Sequence, residues 1–411
     1  MRRTRRRELL AGLAAAGLTG LAGCSALGLD FDVDPERPAT PTVRTVGGTP
    51  TPSGPEIPSR PVEFRNATTR EAYLTVVVTE VVDGGRTTGE RRGGGDTDRD
   101  AGDASGDGAA GREREAFVRS ARLQPGQRRV FTGAVSHAGD YRVVVDTADG
   151  RRAVSEWVVE GTEDGLEVVV DGDVEVWPTV DCRANCSVAA AVRSDEDLPI
   201  AGDGSRQWYS PAGLVLRNPG AASAVDVTVR LYGGAILDAT YEVPAGAQIR
   251  IPVTFRSGRY EVAVATDGGP GRTARWYVPH EPARYVTLGE SGDVSFGCGP
   301  ANTVARLHNG DDRAHRLDLA VRPPGDETPR FASTVELAPG ERRTIEPVSS
   351  SGRYLLTAGT AAGESIRAVW WACPAHAAVD VRIGGDGEVG VDQDYRAYVA
   401  DPERYPWSRT G

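Results

Sequence analysis

The sequence predicts an all-β chain, three tandem Greek-key sandwiches of short strands behind an export leader and an extended tether. Three observations predict it. A set of landmarks recurs three times at nearly fixed spacing. Apolar residues alternate at period two between turn signals. The 411 residues hold 39% apolar and 6% aromatic side chains with 51 Gly and 27 Pro, enough for several small cores joined by many turns but thin for one large core. All 47 basic residues are arginine, and 58 carboxylates bring the formal charge to −11. Without residues 1–23 the balance is 42 against 57, or −15. Such a chain repels phosphate backbones, which disfavours nucleic acid as a partner.

Residues 1–23 read as an address. A basic stretch precedes the apolar run Leu9–Gly23, about fifteen residues, shorter than the roughly 20 needed to span a bilayer. Arg6-Arg7-Glu8-Leu9-Leu10 resembles a twin-arginine export signal. Leu21-Ala22-Gly23-Cys24 resembles the lipobox of bacterial and archaeal lipoproteins, which implies cleavage before Cys24 and lipid on its thiol. Residues 24–61 are rich in Pro, Thr, Gly and Ser and read as a tether, reaching about 35 Å as a coil and about 110 Å as polyproline II. Thr40, Thr42, Thr49 and Thr51 lie beside prolines and are candidate O-glycosylation positions. Leader, tether, lack of lysine and acidity together resemble exported lipoproteins of halophilic archaea.

The body is one unit used three times, over 62–178, 212–296 and 297–391, with a connector at 179–211 and a tail at 392–411. In each copy a strand ends in Asn (Asn66, Asn218, Asn309), a proline turn follows (Pro125, Pro244, Pro339), then a Gly-x-Tyr strand and a strand carrying Trp157, Trp276 or Trp370. Proline to tyrosine is 16, 16 and 15 residues, and tyrosine to tryptophan is 16 in all three. Asn to Tyr is 75, 42 and 45, so the first copy carries an insertion, the Gly/Asp/Arg tract 84–113, which reads as a disordered loop. Tyr141, Val143 and Val145 point one way at period two, as do Tyr260, Val262 and Val264. Asp149-Gly150 and Asp267-Gly268 supply hairpin turns, and each copy closes with a strand pair around a Gly turn. Seven to nine short strands per copy fit a Greek-key sandwich.

Gly-x-Tyr-x-[Val/Leu] resembles the tyrosine corner of immunoglobulin-like domains, which implies that the phenols of Tyr141, Tyr260 and Tyr354 bond back to the neighbouring loop. The longer pattern, from Asn-ended strand to Gly-x-Tyr-x-Val-x-Val, resembles adhesion-associated modules of the CARDB type. That resemblance covers all three copies and implies binding, adhesion or spacing, with no catalytic residue. Where antibody-type domains place a core cysteine, this chain has Val143, Val262 and Leu356.

With Cys24 assigned to lipid, Cys182, Cys186, Cys298 and Cys373 remain, an even number with three pairings open. Their positions favour Cys298 with Cys373 inside the third copy and Cys182 with Cys186 across a tight loop; recovery of a Cys182–Cys373 peptide would overturn this. Cys373-Pro-Ala-His376, with His308 and His315 in the same copy, raises a cupredoxin-like copper site as the alternative, a redox or accessory module built on the third copy. The absence of Met beyond position 1 weighs against it, and Cys182-x3-Cys186 is a weak zinc pattern. No metal or cofactor is assigned. His137 and His280 complete five scattered histidines outside any catalytic string, while Glu163-Asp164 and Asp311-Asp312 read as solvated loop carboxylates. Asn66-Ala67-Thr68 and Asn185-Cys186-Ser187 are sequons, so Asn66 and Asn185 are candidate N-glycosylation acceptors. Trp208-Tyr209 and Tyr395, Tyr398, Tyr405 and Trp407 read as straps onto a neighbouring domain, with contact surfaces as the alternative. The expectation is a non-enzymatic protein on the outer face of the cell membrane, held by lipid on Cys24, with a surface protein or glycan as partner or a role as structural spacer.

Overall fold

The computed structural model describes residues 52, 54–82, 112–160, 164–182, 186–194, 196–202, 211–267, 269–361, 365–374 and 377–393. Arg6, Arg7, Cys24, nearly all of the tether before residue 54, most of the 84–113 tract, Glu163, Asn185, Trp208-Tyr209, Gly268, His376, Tyr395, Tyr398, Tyr405 and Trp407 lie outside the described residues.

The first repeat is built from β1 (Glu56–Asn66), β2 (Ala72–Val82), β3 (Arg112–Leu123), β4 (Arg128–His137), β5 (Gly139–Thr147), β6 (Arg152–Val159), β7 (Asp164–Val170) and β8 (Val174–Asp181). Its sheets run β4-β1-β7-β8 and β3-β2-β5-β6, with β1 and β7 parallel. A short β9 (Ala189–Val192) precedes the second repeat, β10 (Ala212–Asn218), β11 (Ser223–Leu231), β12 (Gly234–Val243), β13 (Ala247–Thr254), β14 (Gly258–Thr266), β15 (Arg272–Val278), β16 (Ala283–Leu288) and β17 (Val294–Gly297). The third comprises β18 (Ala305–Asn309), β19 (His315–Arg322), β20 (Phe331–Leu337), β21 (Arg342–Ile345), β22 (Gly352–Thr360), β23 (Ile366–Ala372), β24 (Val379–Ile383) and β25 (Val389–Asp392). Each repeat therefore threads eight strands through the same two four-stranded layers, and a separate apolar core fills each.

The landmarks hold equivalent places. Tyr141, Tyr260 and Tyr354 are buried, and each hydroxyl donates to the carbonyl four residues upstream, on His137, Arg256 and Ser350, at 2.7, 2.8 and 2.8 Å. Burial, with the Glu80 carboxylate nearby, pushes the Tyr141 phenol up to about 12, so it stays a neutral donor. Each ring leans on the tryptophan of the next strand, with centroids 6.0, 5.3 and 5.7 Å apart. Val143, Val262 and Leu356 are buried where the antibody-type cysteine would stand. In the turns after β3 and β20, Gly126 and Gly340 both adopt φ 72°, a left-handed conformation that glycine takes without a Cβ penalty.

The strand-ending asparagines staple the loop after their own strand to the end of another. Asn309 Nδ2 donates to Arg313 O at 2.7 Å and Leu337 O at 3.0 Å, while its Oδ1 accepts from Asp311 N at 3.1 Å. Asn66 and Asn218 repeat the arrangement, with Nδ2 on Arg70 O and Leu123 O and on Ala221 O and Val243 O. Asn66, one of the two sequon asparagines, has a fully buried side chain whose amide nitrogen donates twice. Asn309→Ala is expected to cost about 2–3 kcal/mol by stranding buried carbonyls; denaturant titration of the variant against the parent measures it, and a loss under about 0.5 kcal/mol would refute the staple.

Five boundaries shift, the first being Gly297, expected to open the third copy, which instead closes β17 of the second. β1 begins at Glu56, so 56–61 is strand rather than tether, because these residues find a partner in β4. Arg112 and Glu113 belong to β3 rather than to the insertion, paired with Val82 and Val81. The connector supplies the end of β8 and all of β9, which adds to β12 at the edge of the second repeat. Asp392 closes β25 rather than opening the tail.

Candidate functional site

The most chemically distinctive region lies where repeats meet. β8 of the first repeat pairs in parallel with β13 of the second, Thr179 with Gln248, Val180 with Ile249 and Asp181 with Arg250. The two sandwiches thereby share one eight-stranded sheet, β17-β16-β10-β13-β8-β7-β1-β4. Alternation puts Ile249 and Ile251 into the second core and turns Gln248 and Arg250 to the other face. On that face β1 presents Glu63 and Arg65, β7 Glu167, β4 Arg128 and β10 Arg217. Period two turns these positions away from the cores, the side that ordinarily meets solvent. Instead Glu63 and Glu167 are each 1% exposed, and Arg128, Arg217 and Arg250 are buried with them.

Arg250 bridges the carboxylates, 3.2 Å from Glu63 and 2.9 Å from Glu167. Arg128 forks onto Glu63 through Nε and Nη2. Glu167 also accepts from Gln248 Nε2 at 2.6 Å and meets Arg217 at 3.5 Å and Arg65 at 3.8 Å. Gln248 completes the mesh, accepting from Arg217 Nε at 2.9 Å and donating to Thr179 Oγ1 at 2.9 Å. The Arg217 guanidinium lies between two rings, 4.7 Å from Trp177 of the first repeat and 4.8 Å from Tyr285 of the second. Burial alone would raise the Glu167 carboxyl, but Arg250, Arg217 and Arg65 outweigh it and hold the group well below its ordinary value. Glu63 is depressed likewise, burial being overcome by Arg128 and Arg250. Burial works against the cation of Arg250, and the two glutamates more than restore it.

The second joint is held differently. Cys298, directly after β17, is bonded to Cys373, directly after β23, with a Cα separation of 5.4 Å and a sequence separation of 75. The bridge therefore fastens the exit of the second sandwich to the third. Cys182–Cys186, Cα atoms 5.0 Å apart, closes a small loop immediately after β8, the equivalent exit from the first repeat. Beside the longer bridge, Trp371 packs on Tyr277 at 5.3 Å and stacks on His280 at 5.1 Å with planes 6° apart. Arg353 covers both Tyr277 and Trp371, and Gln393 binds the backbone N–H and C=O of Trp371 through its side chain. Trp371 is hard to single out in the sequence because its neighbour Trp370 carries the repeat spacing. A groove of about 410 Å³ separates Arg65, Arg128 and the Pro125-Gly126 turn of the first repeat from Pro300, Asn302 and Pro374 at the third.

Other sequence candidates fall elsewhere. Cys373 is in a disulfide and has no thiolate to offer copper, and the same holds for Cys182 and Cys186 toward zinc. His315 Nε2 pairs with Asp311 at 2.7 Å, so Asp311 is not a free loop carboxylate, whereas Asp312 has a side chain 89% exposed. No group of three or more His, Cys, Asp or Glu side chains is gathered as a metal site among the described residues.

Among solved structures, similarity is found to a putative cell adhesion protein from Bacteroides eggerthii, 12% identical over 47% of this chain and 97% of that one, with a TM-score of 0.16. The chicken CNTN1 FN1-FN3 domains align over 77% of this chain and 99% of theirs at 12% identity and a TM-score of 0.13. A family CBM26 module from Eubacterium rectale in complex with maltoheptaose aligns over 58% and 97% at 10% identity and a TM-score of 0.13. Scores this low carry no inference about role. No curated protein matches the chain. The sequence profile of the Halobacterial Ig-like domain matches residues 110–183, 221–302 and 313–398, one segment in each sandwich. These segments make up more than half of the chain, which belongs to the Halobacterial Ig-like domain family.

Proposed function

We propose that the protein is an exported, lipid-anchored component of the cell surface whose three sandwiches act without catalysis, as a stiffened spacer that presents binding faces to a surface protein or glycan. The observation that carries this reading is the welding of the repeats. Domains joined only by linkers and small polar contacts move relative to one another by default. Here a shared β-ladder and a buried ion mesh bind the first to the second, and a disulfide with an aromatic stack binds the second to the third. Joints of this kind suit a body that must hold its ends apart or keep its faces in register. The two disulfides support an oxidising compartment. The twin-arginine pattern at Arg6-Arg7 and the lipobox ending in Cys24 supply route and anchor, and the likeness to adhesion-associated CARDB modules is the finer form of the binding role.

Cys24→Ser tests the anchor. The protein is expected to move from the membrane fraction to the medium and to lose the mass of the lipid, with its denaturation curve unchanged. Retention of the variant in the membrane fraction would refute the lipid on Cys24.

A further inference from the structure

The outer face of the sheet β3-β2-β5-β6 carries a row that the other repeats lack. Val118 on β3 pairs with Val77 on β2, Val77 with Val144 on β5, and Val144 with Val154 on the edge strand β6. Four valines thus cross the sheet side by side on the face away from the core. Val154 is 53% exposed, and Val158 on the same strand is equally open. Valine favours strands by itself, but the repeats provide an internal control. Three residues beyond each landmark tyrosine, the same row reads Asp238, Thr228, Ala263 and Thr273 in the second repeat. In the third it reads Ala332, Ala320, Thr357 and Arg367. The architecture therefore forms without an apolar row, and only the first repeat has one.

The charges around the row identify what would cover it. On β5 the outward residues run Arg142, Val144, Asp146; on β6 their cross-strand partners run Glu156, Val154, Arg152. All four charged residues are exposed. The pattern is positive–valine–negative on one strand and negative–valine–positive on its neighbour. A two-fold axis along the valine row lays each row on itself and exchanges the flanking rows. Arg142 then faces Asp146 of the second copy, and Glu156 faces Arg152, on both sides of the axis. Four opposite-charge contacts arise from one self-complementary surface, the property an isologous interface requires. Face-to-face packing of two sheets is an ordinary arrangement. Four strands by eight residues cover roughly 19 by 27 Å, or about 500 Å² per copy, which places the pair near the lower bound of about 1,000 Å² for a specific interface.

We propose that this face joins two copies of the chain, the first repeat of one packed on the first repeat of the other across the valine row. The inference goes beyond the surface-protein reading and does not rest on the lipid. Sedimentation equilibrium of the full chain carrying Cys24→Ser, at low and at molar salt, should show a reversible monomer–dimer equilibrium. The exchange Asp146→Arg with Arg152→Asp keeps the pairing within the row, at present 3.7 Å, but makes like charges face across the axis. It should weaken the dimer at least tenfold at low salt and less at molar salt, where screening is stronger. The complementary exchange Arg142→Asp with Glu156→Arg should do the same. Mixing the two variants should yield a heterodimer, since their charges match across the axis. Val144→Thr with Val154→Thr, which introduces a residue type the other repeats carry in this row, should weaken association at both salts, with circular dichroism unchanged. A parent that is monomeric at every concentration, dimers indifferent to the exchanges, or a mixture that does not pair would each overturn the proposal.

Discussion

Arg250→Leu is expected to destabilise the joined first and second repeats by about 4 kcal/mol. The guanidinium lies between Glu63 and Glu167, so its loss leaves two buried carboxylates facing one another with their shared cation gone. Of the buried pair, Arg128 meets only Glu63, while Arg65 and Arg217 meet only Glu167, and Arg217 also pairs with Glu175 at 3.1 Å. Denaturant unfolding monitored by the tryptophans measures the loss, and hydrogen exchange should locate it at β8 and β13. Removal of both partners, Arg250→Leu with Glu167→Leu, should recover part of the stability, because buried ion pairs owe much of their apparent strength to the penalty of leaving one member alone. A cost under about 1 kcal/mol for the single variant would mean that the network is solvated in solution.

The same network fixes the direction of acid sensitivity. Glu63 and Glu167 are held below their ordinary value of 4.5, so the folded state keeps them ionised where the unfolded chain would begin to bind protons. Their contribution is fully present above that value and is lost as pH falls through it toward their folded-state range. In Arg250→Leu the carboxylates are less depressed, the difference between folded and unfolded states is smaller, and the slope of stability against pH below that value should be shallower than in the parent. An identical slope would assign acid sensitivity to other carboxylates.

Joint replacement of Cys298 and Cys373 by serine carries the second large effect. The bridge joins cysteines 75 positions apart, and the chain-entropy treatment assigns such a loop roughly 4 kcal/mol. Both cysteines are buried close to Trp371, so two hydroxyls in place of the sulfurs add a desolvation cost. The third repeat should unfold first and separately, visible as a new early phase in calorimetry, while the parent melts with the repeats more closely coupled. The equivalent change at Cys182 and Cys186 should cost less, since their loop spans only four residues. A single unshifted transition in the first variant would show that the aromatic stack of Tyr277, His280 and Trp371 alone holds the joint.

Much of each sandwich is legible in the chain because the deciding forces there are local. Alternation from Tyr141 to Val145 dictates which face is buried, and the tyrosine, tryptophan and asparagine spacings recur because the same three-dimensional neighbours must be met in each copy. Strand limits are less legible, since Glu56 and Arg112 extend their strands only where a partner happens to run alongside. The charged residues show the limit most sharply. In VEFRN the pattern gives Val62 and Phe64 to the core and turns Glu63 and Arg65 outward, which is correct. A period of two cannot distinguish an outward face that meets water from one that meets another domain. For Glu63, Glu167, Arg217 and Arg250, the outward face is a joint between repeats rather than a wetted surface.

By itself, then, the sequence determined the all-β class, the three-fold repetition, the inward face of most strands and the residues that recur as structural fixtures, because each depends on contacts within one sandwich and on a period of two. Only the tertiary structure decided that two sandwiches share a sheet, that a carboxylate pair is buried among arginines, and that the Cys298–Cys373 bridge spans a joint. Those outcomes depend on which repeat lies against which, and a parallel strand pair between residues 179–181 and 248–250 leaves no periodic trace in either segment.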